Sequence, residues 1–121
     1  MFAAHQKLDN MVAIIDHNHL QIDGNIADVC NPDQLTDKFA AFGWDVRTVD
    51  GHDVDAVVEV LNAAKADRSG KPHVIVAETV KGKGVSFMEN QAGWHGTAPN
   101  AEQTAQALAE LEEAGKVICN G

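Results

Sequence analysis

The stretch Met11-Val12-Ala13-Ile14-Ile15-Asp16-His17-Asn18-His19-Leu20-Gln21-Ile22-Asp23-Gly24 passes from five consecutive apolar residues straight into acids, amides and imidazoles. An apolar run of that length reads as a strand covered on both faces, the pattern of a parallel sheet. Its abrupt polar exit is how an α/β domain brings ligands to the carboxyl end of a buried strand. The side-chain oxygen of Asn18 and the backbone carbonyl of Leu20, two residues on, are hard donors suited to Mg²⁺ or Ca²⁺. The plain alternative is an ordinary strand exit, where Asp and Asn are common because they tolerate turn geometry.

A second apolar run, His73-Val74-Ile75-Val76-Ala77, also ends in polar residues, Glu78-Thr79, and leads into Lys81-Gly82-Lys83-Gly84. Glycines beside lysines let backbone amides and an ammonium approach a phosphate closely. The same residues also make a solvated turn. If both strands lie in one parallel sheet, their polar exits share an edge and together suit a metal–diphosphate ligand.

The segments between these strands read as helices and one shorter strand. Met1 to Leu8 has a helical apolar spacing without a capping residue, as though taken from inside a longer helix. Residues 16–31 read as a long polar connection. Asn31-Pro32-Asp33-Gln34 has the makings of a helix start, with Asn31 as cap, Pro32 in the first turn and Gln34 in the box position. Leu35, Phe39 and Phe42 follow at helical spacing and Gly43 ends the helix. Val46–Val49 reads as a strand near a sheet edge. Asp53 caps a helix whose apolar face is Val54, Val57, Val58, Leu61 and Ala64, closed by Ser69-Gly70-Lys71-Pro72. A last helix over about 101–114 is capped by Asn100 with Gln103 and turns Ala101, Ala105, Leu108 and Leu111 inward.

This order calls for an α/β fold: a three-layer parallel sheet of about three strands with flanking helices. Three strands are few for such a sheet. The expectation is therefore a partial domain, residues 1–121, that packs against another chain.

The net charge is -9, from 18 acidic and 9 basic residues. No basic patch is on hand to neutralise phosphates, which argues against nucleic acid and anionic membranes as partners. No apolar run approaches a membrane span. Cys30 and Cys119 match no metal-site spacing and read as reduced thiols of a cytoplasmic protein, Cys30 as a structural one.

Competing motifs fail on spacing. Gly82-x-Gly84 has Phe87 where a dinucleotide fingerprint wants glycine, and no Gly-Lys-Ser/Thr of a P-loop is present. His17-x-His19 with Asp16 and Asp23 would be a zinc reading, but paired loop histidines are more often solvated.

Six motifs in order carry a resemblance over essentially the full chain. They are Lys7-Leu8-Asp9-Asn10, Asp16-x-Asn18-x-x-Gln21-Ile22-Asp23-Gly24, Phe42-Gly43-Trp44, Asp50-Gly51-His52-Asp53, Thr79-Val80-Lys81-Gly82-Lys83-Gly84-Val85-Ser86-Phe87-Met88-Glu89 and Trp94-His95-Gly96-x-x-Pro99. Together they resemble the N-terminal subunit, or thiamine-diphosphate-binding domain, of a bacterial split-type transketolase. The resemblance implies Asn18 and Leu20 as Mg²⁺ ligands, through side chain and carbonyl respectively. It implies Ile22 as an apolar residue on the cofactor, Lys81 beside the diphosphate, and His95 near diphosphate and sugar with a supporting catalytic role. The alternatives are that Ile22 is plain core and that the His95 ring packs on Trp94.

The resemblance further implies transfer of a two-carbon ketol unit between sugar phosphates, by an oligomer completed by a C-terminal transketolase subunit or domain. The opening Gly-Asp-Gly of the family motif is absent from this sequence, and with it the charged metal ligand. Met1 is accordingly expected to match an internal position of a longer subunit, and the chain to be inactive alone. Two alternatives stay open. One is a non-catalytic truncated or partner-associating chain. The other is a related enzyme, a deoxyxylulose-phosphate synthase or a pyruvate-dehydrogenase-type component.

Overall fold

The computed structural model describes the backbone of residues 1–120 and the side chains of residues 1–118. The chain divides into two compact units, Met1–Asn18 with Asn31–Thr79, and His19–Cys30 with the residues from Val80 onward.

The first unit is a three-stranded parallel sheet in the order β1-β5-β4, formed by β1 (Val12–His17), β4 (Asp45–Asp50) and β5 (His73–Glu78). The chain passes β5's place to build β4 and then returns to build β5 between its neighbours. Right-handed crossovers in opposite directions put their helices on opposite faces. Those helices are α3 (Leu35–Ala41), packed against β4 and β5, and α4 (Val54–Ala66), packed against β4. A short α1 (Phe2–His5) precedes β1.

β5 is the centre of the core. Val74, Ile75, Val76 and Ala77 are buried in sequence, as a strand covered on both faces demands. Trp44 and Ala64 complete the core, and Phe39 meets Trp44 edge to face at 5.5 Å.

The equally apolar β1 behaves differently. It lies at the sheet's end, and Val12 and Ile14 are exposed. The expectation of cover on both faces therefore holds for β5 and fails for β1, because two-sided burial needs neighbours on each side.

Several local expectations are corrected in the same way. Asn31 does not cap α3. Its side chain accepts from Asp33 N at 2.8 Å in a turn, and the N-cap position falls to Gln34 in a left-handed conformation without a side-chain cap bond. Gly43 does end the helix, at φ 88°. Asp53 does cap α4, accepting from Ala56 N at 3.0 Å. On α4, Val57, Leu61 and Ala64 of the expected face are half-buried or buried together with Ala56, Val60 and Ala63, whereas Val54 and Val58 are left in solvent.

In the second unit, the polar connection after β1 contains a hairpin that the sequence reading passed over. β2 (Leu20–Gln21) pairs antiparallel with β3 (Gly24–Asn25) across the two-residue turn Ile22-Asp23. Asn25 then caps the single turn α2 (Ile26–Val29), accepting from Ala27 N at 2.9 Å.

α5 (Ala101–Asn120) opens with a reciprocal capping box. Asn100 Oδ1 accepts from Gln103 N and Gln103 Oε1 accepts from Asn100 N, both at 2.9 Å. It runs longer than expected, and Leu108 and Leu111 of its apolar stripe are exposed. Cys30 is an exposed free thiol rather than a structural one, and the Cys119 side chain lies outside the described residues.

Candidate functional site

The three parallel strands end in His17, Asp50 and Glu78, which are register partners across the sheet. Polar side chains therefore collect along the carboxyl edge, where ligands of open α/β sheets bind. Gly51 N donates to Glu78 O at 2.8 Å, so the chain after β4 turns tightly over the end of β5. A Cβ on Gly51 would lie 2.5 Å from Thr79 Cγ2. Any larger residue would have to displace the Thr79 side chain.

Asp16 organises the end of β1. Its Oδ1 accepts from the Thr79 hydroxyl and from Asn18 Nδ2, the latter at 3.3 Å. Asn18 thus meets Asp16 through its amide nitrogen, and its side-chain oxygen is a hard donor of the kind Mg²⁺ takes.

His17 points into the sheet end instead. Nδ1 lies 2.9 Å from Glu78 Oε1, and Nε2 lies 3.2 Å from Asp33 Oδ1. The hydrogen bond to Glu78 raises the His17 pKa above its usual value, partly opposed by burial and helped by the charges of Glu78 and Asp33. Both ring nitrogens thus face carboxylates. Asp33 and Thr79 were not singled out from the sequence. The detectable signal was an imidazole and a carboxylate each closing an apolar run.

The second unit carries the other expected residues. Leu20 lies in β2, so its carbonyl belongs to a hairpin rather than to an unstructured loop. Ile22 occupies the hairpin tip and is 68% exposed, which removes the plain-core alternative.

The Lys81–Gly84 stretch is an ordered turn. Asn90 N donates to Lys81 O at 3.0 Å, and Gly82 and Gly84 have φ values of 72° and 88°. A Cβ on Gly82 would lie 2.6 Å from Met88 O. Glu89 Oε1 accepts from Gly84 N at 2.9 Å and lies 3.9 Å from Lys83 Nζ. Glu89 thus takes one amide and part of one lysine charge. Lys81, half-buried, makes no ion pair among the described residues, so its ammonium is the cation of this turn left for an anion.

His95 closes a short 3₁₀ turn, Ala92–His95, and is exposed. The neighbouring Trp94 pairs with Phe87 at 5.3 Å and donates Nε1–H to Phe87 O at 2.9 Å. Phe87 is thus an aromatic neighbour of Trp94.

Residues 1–113 match the family model described as transketolase, thiamine diphosphate binding domain. The chain is 42% identical over 107 residues to an apulose-4-phosphate transketolase subunit of Phocaeicola vulgatus, covering 88% of this chain and 38% of that relative. It is 41% identical over 115 residues to the 6-deoxy-6-sulfo-D-fructose transketolase subunit SqwG of a Clostridium species, covering 95% and 42% respectively. It thus spans about two fifths of the length of these relatives. Transketolase from Campylobacter jejuni superposes with a TM-score of 0.83 at 32% identity, over 94% of this chain and 17% of that one. No described helix is long and apolar enough to cross a membrane. The family match over nearly the whole chain places this protein in the transketolase family, within its thiamine-diphosphate-binding domain.

Proposed function

We propose that this chain contributes part of a Mg²⁺ and thiamine-diphosphate site to a transketolase-type enzyme that moves a two-carbon ketol unit between sugar phosphates. The observation that carries the reading is the Asn18 amide at the carboxyl edge of the sheet, its nitrogen donating to Asp16 Oδ1 at 3.3 Å beside the end of β1. Asn18 Oδ1 and the Leu20 carbonyl are the metal donors that this chain supplies, and both are hard oxygens suited to Mg²⁺. Lys81 carries the charge for the diphosphate. Ile22, exposed at its hairpin tip, is the apolar contact for the ring system of the cofactor. His95, exposed at the close of its 3₁₀ turn, is the residue assigned in this reading to the sugar phosphate and its protons.

When bound, thiamine diphosphate supplies the carbon nucleophile, so the protein's share is binding, orientation and electrostatics. That share is incomplete here. The sequence holds no Gly-Asp-Gly, so the carboxylate that would balance the metal charge must come from elsewhere. A C-terminal transketolase subunit or domain, an oligomeric assembly and a cytoplasmic setting belong to the same reading. The names of the two bacterial relatives support it, since each is called a subunit and a subunit implies a partner.

Calorimetry with thiamine diphosphate and Mg²⁺ tests the proposal. The isolated chain is expected to show negligible binding, and an assembly that supplies the missing carboxylate is expected to bind in an Asn18-dependent manner. Micromolar binding by the isolated chain, or an Asn18→Ala assembly that binds as well as the parent, would overturn it.

A further inference from the structure

β4 and β5 begin side by side at the amino end of the strands, the end opposite His17, Asp50 and Glu78, with Asp45 and His73 as register partners. Parallel partners in register present their side chains on one face of the sheet. His73 Nδ1 accordingly lies 3.2 Å from Asp45 Oδ1. The third member of the group comes from α4, which packs on β4 and has Asp67 as its C-cap. One ligand atom from each of Asp45, Asp67 and His73 can be chosen so that all three lie within 4.8 Å of one another.

His73 is 1% exposed, and its Nε2 is buried with no hydrogen-bond partner among the described residues. Buried polar groups are rarely left so, and an ion at the site is one of the usual reasons. Nδ1 is the nitrogen through which this ring meets polar surroundings, and it faces the carboxylates. Those carboxylates share one guanidinium. Arg47 Nε donates to Asp45 Oδ1 at 2.8 Å, while its Nη2 stays 3.7 Å from Asp67 Oδ2. Arg68 is engaged with the backbone instead, donating to the carbonyls of Lys65 and Asp67 at 2.9 and 2.8 Å. The Asp45 and Asp67 side chains are 30% and 21% exposed, so the group opens to solvent on the carboxylate side and is closed by the imidazole.

We infer that Asp45, Asp67 and His73 form a binding site for a divalent transition cation of the zinc class, with one nitrogen and two oxygen donors. An imidazole beside carboxylates is a donor set for Zn²⁺ rather than for Mg²⁺ or Ca²⁺, which take oxygen ligands. Bonds of about 2.0–2.1 Å at tetrahedral angles hold ligand atoms about 3.3 Å apart. The His73–Asp45 pair already has that spacing, and the Asp67 oxygen has a short way to move. The cation takes the place of the Arg47 guanidinium between the carboxylates, and the fourth position is left to water. Bound there, it ties the end of α4 to the first residues of β4 and β5. The inference uses none of the residues assigned to thiamine diphosphate and does not rest on that reading.

The test titrates the metal-free full chain with Co²⁺ alone, follows visible absorption, and then displaces the cobalt with Zn²⁺. The expected result is one equivalent bound per chain, with the intense bands of four-coordinate cobalt bleached by Zn²⁺. Among the six histidines, the ring resonances of His73 should move most on addition of Zn²⁺. This readout needs no variant and stands whether or not a substituted chain folds. Asp67→Asn should weaken binding by at least about tenfold. It keeps an oxygen for the Ser69 amide that now donates to Asp67 Oδ1, so the turn after α4 is preserved. Arg47→Met should strengthen binding by up to about fivefold, the worth of a partly exposed ion pair. Absence of the cobalt bands overturns the inference. So does full binding by Asp67→Asn, or a Zn²⁺ shift at other histidines but not at His73, since the ion then sits elsewhere. Weaker binding by Arg47→Met also overturns it, because the guanidinium would then support the ion rather than compete with it.

Discussion

His17 Nδ1 lies 2.9 Å from Glu78 Oε1, joining the last residues of two adjacent parallel strands at the sheet edge where ligands are received. The pair is an electrostatic clasp. It holds the end of β1 to the central strand immediately before the chain turns to Asn18. Asp33 reaches the other ring nitrogen at 3.2 Å, so the imidazolium is favoured over the neutral ring.

Because the folded state raises the His17 pKa, chiefly through Glu78, the clasp stabilises most when His17 is charged in both states. Its contribution is complete below about pH 6.5, the ordinary histidine value, and is lost as pH rises through the raised value. Urea midpoints of the metal-free protein should therefore fall between mildly acidic and mildly alkaline pH, and His17→Asn should flatten that slope. An unchanged slope in His17→Asn would remove the clasp from the account.

Asp45 gives the opposite sign. Burial pushes its carboxyl up, but hydrogen bonds from Arg47, at 2.8 Å, and His73, at 3.2 Å, outweigh this and hold it below its usual value. Its stabilisation is present above pH about 4 and fades as pH falls through the depressed value. Asp45→Asn should cost about 1–2 kcal/mol at neutral pH, and the gap to the parent should narrow in acid. His73, 1% exposed, adds to the cost, because its buried Nδ1 faces a charged oxygen in the parent and only a neutral amide in the variant. Paired denaturation curves at pH 7 and pH 3.5 check both points.

Gly82 is fixed by two independent constraints, a left-handed φ of 72° and Met88 O at 2.6 Å from any Cβ. The conformation alone costs about 1–2 kcal/mol for an alanine, and the clash adds to it. Gly82→Ala should lower stability by about 2–4 kcal/mol. Gly96→Ala, where a Cβ meets nothing within 4 Å, should stay within about 0.5 kcal/mol. Thermal unfolding of the two variants separates them.

The start of α5 depends on the reciprocal Asn100–Gln103 bonds. Asn100→Ala should cost about 1 kcal/mol, and Gln103→Ala should cost less, since only the returning bond is lost. Exchange of the Gln103 amide should accelerate in Asn100→Ala and not in the second variant.

Much of this was legible in the chain itself. The central strand at His73–Glu78, the caps at Asp53 and Asn100 and the stop at Gly43 follow from short-range rules of spacing, capping and left-handed turns. These rules operate between residues close in sequence, so the sequence determines them. The motif run from Asn18 to Trp94-His95-Gly96 likewise carries the family resemblance in the sequence alone.

Tertiary structure decided what depends on neighbours. Val12 and Ile14 look like core and are exposed, because β1 lies at the end of the sheet. Val54 and Val58 belong to the expected inward face of α4, but the docking of the helix on β4 covers Val57, Leu61 and Ala64 of that face and leaves these two out. His17 found Glu78 and Asp33, 61 and 16 positions away, only because parallel pairing brought the strand ends into register. Local sequence sets which elements form. Which apolar faces are covered, and which charges meet, is settled by packing, since burial is a property of the assembled neighbours and not of the residue.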